Sequence, residues 1–197
     1  MHGRGGPRLV AVALTVAAGT AGAALADNGT SQPDIRAFSP EADTYVTAAE
    51  PETNYGRSLT LRVAGSPQTT TYLRFRLRGV PPNLASVILL LHAKAGSRAT
   101  YEVRRSDGAD WREGRLTYAN APRLSMRYAA AKMQRRGAWS AVDVTPIVEG
   151  RMRVTLAITT RNPRAVVFHS RESRYGPRLV ARSGDAKLDL GTLLRLS

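Results

Sequence analysis

Between Phe38 and Ala181 short strand-like segments alternate with turn signals, and no helical period of apolar residues lasts beyond a turn or two. The segments are Thr44–Thr47, Ser58–Val63, Thr71–Leu77, Ser86–Lys94, Ala99–Arg104, Trp139–Asp143, Arg151–Thr159, Ala165–His169 and Arg178–Ala181. Asn54-Tyr55-Gly56, Gly65-Ser66-Pro67, Pro81-Pro82, Asp107-Gly108, Asn120-Ala121-Pro122 and Asn162-Pro163 separate them, residue types that turns demand, with Gly56 expected to supply a positive φ. Thr71–Leu77 shows the pattern most clearly. Leu73, Phe75 and Leu77 alternate with Tyr72, Arg74, Arg76 and Arg78, the period of a half-buried strand. Many short strands with regular turns predict a two-sheet sandwich or a barrel. Helical signal is confined to Thr145-Pro146 leading to Gly150, and to one or two turns over Tyr128–Met133.

The start of the chain has a different character. Arg4 and Arg8 precede a small-apolar run from Leu9 to Leu25 that ends in Ala24-Leu25-Ala26. This is the order of a secretory signal peptide, residues 1–26. The run is alanine-rich and interrupted by Thr15, Thr20 and glycines, so it lacks the ~20 strongly apolar residues of a spanning helix. Export is the expectation, with no membrane span after cleavage. The first 26 residues hold two arginines and no acid, so their removal takes the net charge from +14 to +12. The chain has no cysteine, and a secreted domain without disulfides depends on its core, with or without a bound cation. The excess of positive charge predicts an anionic partner. Export argues against a dedicated nucleic-acid role, and no zinc-finger or helix-turn-helix pattern is present. Residues 27–37 are polar and rich in turn formers and read as a flexible lead-in.

Several fragments are more specific. They are Ala42-Asp43-Thr44-Tyr45-Val46, Asn54-Tyr55-Gly56 with Leu59–Val63, Tyr72-Leu73-Arg74-Phe75, and Trp111–Tyr118 with Asn120-Ala121-Pro122. Trp139–Thr145, Phe168–Glu172 and Pro177–Val180 complete the set. In this order and spacing they resemble the DNRLRE-type domain, also classed as carbohydrate-binding module family 96. The resemblance covers about Phe38 to Ala181, within an expected domain of residues 38–182. It implies an all-β jelly-roll β-sandwich of two antiparallel sheets, in secreted or surface-attached proteins that act on or adhere to polysaccharides, some members binding alginate-like acidic polymers. This sequence departs from the pattern at Arg76, where an acid is common, and at the tail 183–197.

The arginine row is the first candidate site. Alternate side chains on a strand lie about 6.6 Å apart, so Arg74, Arg76 and Arg78 match an extended anionic polymer, with Tyr72 available to stack on a sugar. Arg62 and Arg104 extend the platform if their strands are neighbours. A solvated sheet face with internal ion pairs would use the same residues. The Trp111–Pro122 segment offers either a sugar-stacking aromatic or a loop folded across the sandwich with Trp111 as its plug, and the resemblance points to the loop. His169, Ser170, Arg171 and Glu172 suggest a lyase, but adjacent residues on a strand face opposite ways, and Arg171-Glu172 reads better as an ion pair or a metal-supporting carboxylate. Zinc and copper lack ligands. Calcium needs only hard oxygens, and Asp43, Asn54 and Glu172 are the candidates by analogy with other jelly-roll modules.

The sequence therefore predicts a secreted, monomeric, non-catalytic module for acidic, uronate-type polysaccharide. The alternative is a structural or adhesive envelope protein that holds any polyanion. A polysaccharide lyase is a third reading.

Overall fold

The computed structural model describes residues 34–80, 84–95, 99–108, 110–132, 135–148 and 150–184. The expectations for the signal peptide and for the tail beyond Gly184 fall outside these residues. Within them the strands are β1 (Ile35–Phe38), β2 (Ala42–Thr47), β3 (Thr60–Gly65), β4 (Gln68–Arg76), β5 (Leu84–Ala95), β6 (Thr100–Ser106), β7 (Leu124–Lys132), β8 (Trp139–Asp143), β9 (Arg153–Thr159), β10 (Val166–His169) and β11 (Arg178–Ser183). One short helix, α1 (Thr145–Val148), follows β8. Asp143 caps it, its carboxylate accepting from the Thr145 N–H at 2.9 Å and from the Thr145 hydroxyl at 2.6 Å.

The strands form an all-β sandwich. One layer runs β1-β11-β5-β8, with β10 joining β5 beyond β11 and pairing onward with β3. The other runs β2-β4-β9-β6-β7. All these pairings are antiparallel, and the β3–β4 hairpin connects the layers. Between them lies the core. Leu73, Phe75, Tyr101, Val103, Leu156 and Ile158 come from one layer, and Leu89, Leu91, Val142, Phe168 and Leu179 from the other. Period-two alternation puts these residues inward, each buried to within a few per cent.

Three local expectations change. Tyr128–Met133 does not begin a helix. Residues 124–132 form β7, paired along β6 from Ser106↔Leu124 to Thr100↔Lys132, and tertiary pairing overrides the helical preference of its alanines. The lead-in becomes ordered earlier than composition suggests, because Ile35–Phe38 pairs with β11. Gly56 does not have the positive φ expected of it. A Cβ there would collide with the Glu113 backbone and side chain, so close approach explains this glycine.

Candidate functional site

The outer face of the β2-β4-β9-β6-β7 layer carries the predicted row. Register aligns Thr44, Tyr72, Ala157, Arg104 and Tyr128 straight across the five strands, and Ala42, Arg74, Thr155 and Ser106 in the next row. The segment between β6 and β7 folds back over half of this face. Leu116, with Trp111, Tyr118, Ala121 and Leu124 around it, packs on Val46, Tyr72 and Ala157 and forms a second apolar cluster. Tyr72 is therefore 3% exposed. Its hydroxyl donates to the Pro122 carbonyl at 3.3 Å, and burial raises the phenol to about 12. It is not a sugar platform. The alternation correctly places it opposite the core, but a loop covers that side.

Trp111 anchors the cover. Its indole N–H donates to the Thr155 hydroxyl at 3.1 Å, and its ring meets Tyr72 edge-on at 6.3 Å between centroids. The Arg74 guanidinium lies 5.1 Å from the ring centroid and donates to the Trp111 carbonyl. Burial lowers the Arg74 pKa, and nearby Arg153 adds to the effect. Beside it, Arg76 stands directly opposite Arg153, an arrangement that repels unless an anion intervenes. Glu41 is that anion. Its carboxylate lies 2.8 Å from Arg76, 3.4 Å from Arg153 and 3.7 Å from Arg74, while Asp110 takes a second contact with Arg153 at 3.5 Å. Arg76 and Arg153 remain partly exposed, and Arg78, just past β4, is exposed.

Next to this cluster opens a cleft of about 280 Å³ lined by Asp110, Trp111, Arg112, Arg115, Leu116 and Asn120. Arg112 and Arg115 are exposed. Asn120 shapes the loop, accepting from the Thr117 N–H at 2.8 Å and donating to the Arg115 carbonyl at 2.9 Å. The cleft can offer an aromatic edge, an apolar floor and two guanidinium forks suited to carboxylates. The sequence did not single out Arg112 or Arg115: Arg112 adjoins Trp111 in the chain, and the turn over Glu113–Arg115 brings Arg115 to the same cleft.

The other two predicted arginines are apart from this cleft. Arg62 lies on β3 opposite Val167 of β10, with β4 and β9 between its strand and β6. Arg104 is held by Glu102 at 2.6 Å, and its guanidinium lies 5.0 Å from the Tyr128 ring centroid. That half of the face is free of the loop cluster, and Tyr128 is 53% exposed.

The carboxylates converge at a different point. Asp43, Glu113 and Glu172 offer oxygens all within 4.8 Å of one another. Asn54 has other partners. Its amide nitrogen donates to the Glu113 and Leu116 carbonyls, both at 2.7 Å, and its oxygen accepts from the Gly56 N–H at 3.2 Å. It holds the turn that presents Glu113, and Glu113 takes the third place in the set. Asp43 is buried, and burial raises its carboxyl to about 7. The Arg171 N–H lowers it by donating at 2.7 Å, while Glu172 and Glu113 raise it. The Arg171 side chain bridges Glu172 at 3.1 Å and Glu113 at 3.3 Å. Three hard oxygen donors and one guanidinium leave negative charge over, so the donor set fits a calcium ion in its chemistry. His169 is outside this group, packed 5.1 Å from His92 and 5.5 Å from Tyr175 between centroids.

Comparison with known proteins adds the family. The model of carbohydrate-binding module family 96 matches residues 34–183. No curated protein matches the chain. Among solved structures, the CBM22-1–GH10 modules of xylanase 10B from Clostridium thermocellum, complexed with xylohexaose, align over 77% of this chain and 29% of theirs. Identity is 7% and the TM-score 0.37. TmCBM61 in complex with beta-1,4-galactotriose aligns over 77% of this chain and 84% of its own, at 13% identity and a TM-score of 0.23. The chain thus spans less than a third of the xylanase structure. Among the described residues no helix is long and apolar enough to cross a membrane.

Proposed function

The chain belongs to carbohydrate-binding module family 96, and from that premise we propose that it is a secreted, non-catalytic module holding an acidic, uronate-type polysaccharide in the cleft beside Trp111. One observation carries the reading: Trp111, Arg112 and Arg115 line one cleft, next to the Arg74–Arg76–Arg153 cluster, which has Glu41 as its shared counter-ion. A uronate polymer offers both a pyranose face for the indole and carboxylates for the guanidinium forks. The test is titration of the protein with polyuronate, sulfated and neutral glycans at low and high salt, with an Arg112→Ser/Arg115→Ser variant. Selective, salt-sensitive binding to uronates that the variant loses supports the proposal. Equal binding to every polyanion would favour the adhesive envelope reading. Unsaturated products absorbing in the ultraviolet would identify a lyase.

The same reading includes a structural calcium ion held by Asp43, Glu113 and Glu172. Bound there, the ion would tie β2 to the loop before β7 and to the loop after β10 by oxygen coordination. A rise in melting temperature with calcium over chelator, lost in Glu113→Gln, would support it. Identical melting in both conditions would remove the ion from the account.

A further inference from the structure

Two histidines meet on the outer face of the opposite layer, where β10 joins β5. In the register of these strands Phe168 stands beside Ala93, both in the core, so alternation sends His169 and His92 to the other face. Their ring centroids lie 5.1 Å apart, with the planes tilted by 55°. The loop after β10 doubles back through turns closed by Ser170 to Ser173 and Ser173 to Gly176 hydrogen bonds. It lays Tyr175 flat on His92, centroids 4.4 Å and planes 11° apart. Trp139 of β8 meets the same imidazole edge-on at 5.0 Å. His92 is therefore 7% exposed, and its Nδ1 is buried with no hydrogen-bond partner. A buried nitrogen left in that state calls for a partner of another kind. His169 is half-buried, which leaves the pair open on its side.

Both imidazoles are held toward the neutral form, the one that ligates metals. Burial lowers the His92 pKa, against a hydrogen bond to the Gly137 backbone that raises it. Burial, His92 and Lys94 lower that of His169. The spacing fits as well. Two imidazoles sharing one ion at 2.0–2.1 Å per nitrogen and a tetrahedral angle have centroids about 5 Å apart.

The surroundings restrict the ion. Lys94 follows His92 on the same face of β5, and the Arg174 guanidinium lies 4.6 Å from the Tyr175 ring centroid. Among the described residues no carboxylate completes a three-ligand group with the two histidines. Calcium and magnesium, which need oxygen ligands, have no place there. An ion held by donation from nitrogen does, and Cu2+ heads that order.

We propose that His92 and His169 form a two-imidazole site for a borderline transition-metal ion, Cu2+ before the others, with water in its remaining positions. The bound ion would clamp the end of β10 to β5, just past the register shift between Val167 and Phe168. Copper was expected to lack ligands in this chain, because histidines so far apart in sequence meet only through the pairing of these strands. The site lies on the layer opposite the glycan cleft, so its failure would leave the binding reading as it stands.

The test is Cu2+ titration of the full chain carrying His2→Gln, which removes the third histidine, followed by calorimetry and electron paramagnetic resonance. One equivalent with hyperfine coupling to two imidazole nitrogens is the expected result. Adding His169→Gln should keep the circular dichroism of the sandwich and lower Cu2+ affinity more than about tenfold, since even an outer partner of a ligand is worth that much. Adding His92→Gln instead should do the same to affinity. Equal affinity with and without His169, coordination by oxygen alone, or no binding at micromolar Cu2+ would overturn the proposal.

Discussion

Replacing Glu41 by Gln should weaken the fold and tighten the grip on an acidic polymer. The substitution keeps shape and hydrogen-bonding capacity and removes one negative charge from among Arg74, Arg76 and Arg153. Partly exposed ion pairs contribute ~0.2–1 kcal/mol each. The retained hydrogen bonds offset part of that, so the loss should be about 1 kcal/mol, or roughly 2–4 °C in melting temperature for a domain of this size. For an approaching carboxylate the sign reverses. One like charge fewer at about 8 Å, in an effective dielectric near 60, is worth ~0.7 kcal/mol, which is about a threefold lower Kd. At 0.15 M salt the Debye length is about 8 Å, and most of the gain should disappear. Isothermal titration with polyuronate at low and physiological salt, beside thermal melts, reads both effects. If Glu41→Gln binds more weakly than the parent at low salt while remaining folded, the arginine cluster does not contribute to the binding field and the electrostatic argument is wrong.

Asn54→Ala should lower stability by about 2–3 kcal/mol, since it strands two carbonyls and one N–H in a part-buried turn; affinity should fall with it, because the turn it holds also carries Arg112 and Arg115. Tyr101→Phe should cost ~1–2 kcal/mol, measured by denaturant unfolding, because the buried Tyr101 hydroxyl and Ser140 lie 2.5 Å apart. For His169, burial and the neighbouring His92 and Lys94 hold the imidazole pKa below its usual value, with the Tyr175 ring packed alongside and Arg174 over that ring. The unfolded state therefore binds the proton more readily, and stability from this group is present above about pH 6.5 and lost as pH falls below it. Asp43 has its pKa raised and acts in the opposite direction, but it is common to parent and variant. Melting temperatures from pH 8 to 5 should accordingly show the parent losing more stability than His169→Gln; parallel curves would contradict the assignment.

Period two identified the inward residues of β4, and Leu77 just past it, correctly, because Leu73, Phe75 and Leu77 have only one way to be buried together. The same pattern says nothing of what lies on the other side, and there a loop from 35 or more residues away covers Tyr72 and confines Arg74. Strand β7 was hidden by Ala129-Ala130-Ala131, whose helical preference yields to pairing with β6. Strand β1 was hidden by brevity, since four residues acquire strand geometry only from β11. The carboxylate group was half legible. Asp43 and Glu172 were identifiable as hard donors, but 70 positions separate Asp43 from Glu113, and no local spacing encodes that meeting. Glu41 escaped for the same reason, since its importance comes from arginines of two strands, β4 and β9, arriving beside it.

Among the described residues β7 pairs with β6 alone, so it is the rim of its layer, although side chains of Arg104 and Ser140 already hold the Ser125 and Lys132 carbonyls. Met126, 87% exposed, and Tyr128 stand on it. Such a rim is a template on which a foreign extended chain can polymerise. Arg127 and Lys132, both exposed, supply the mutual repulsion that keeps identical rims from joining side by side. A polyanion long enough to reach past the cleft would neutralise those cations, so saturation with polymer is the condition under which molecules of this chain would begin to assemble edge to edge.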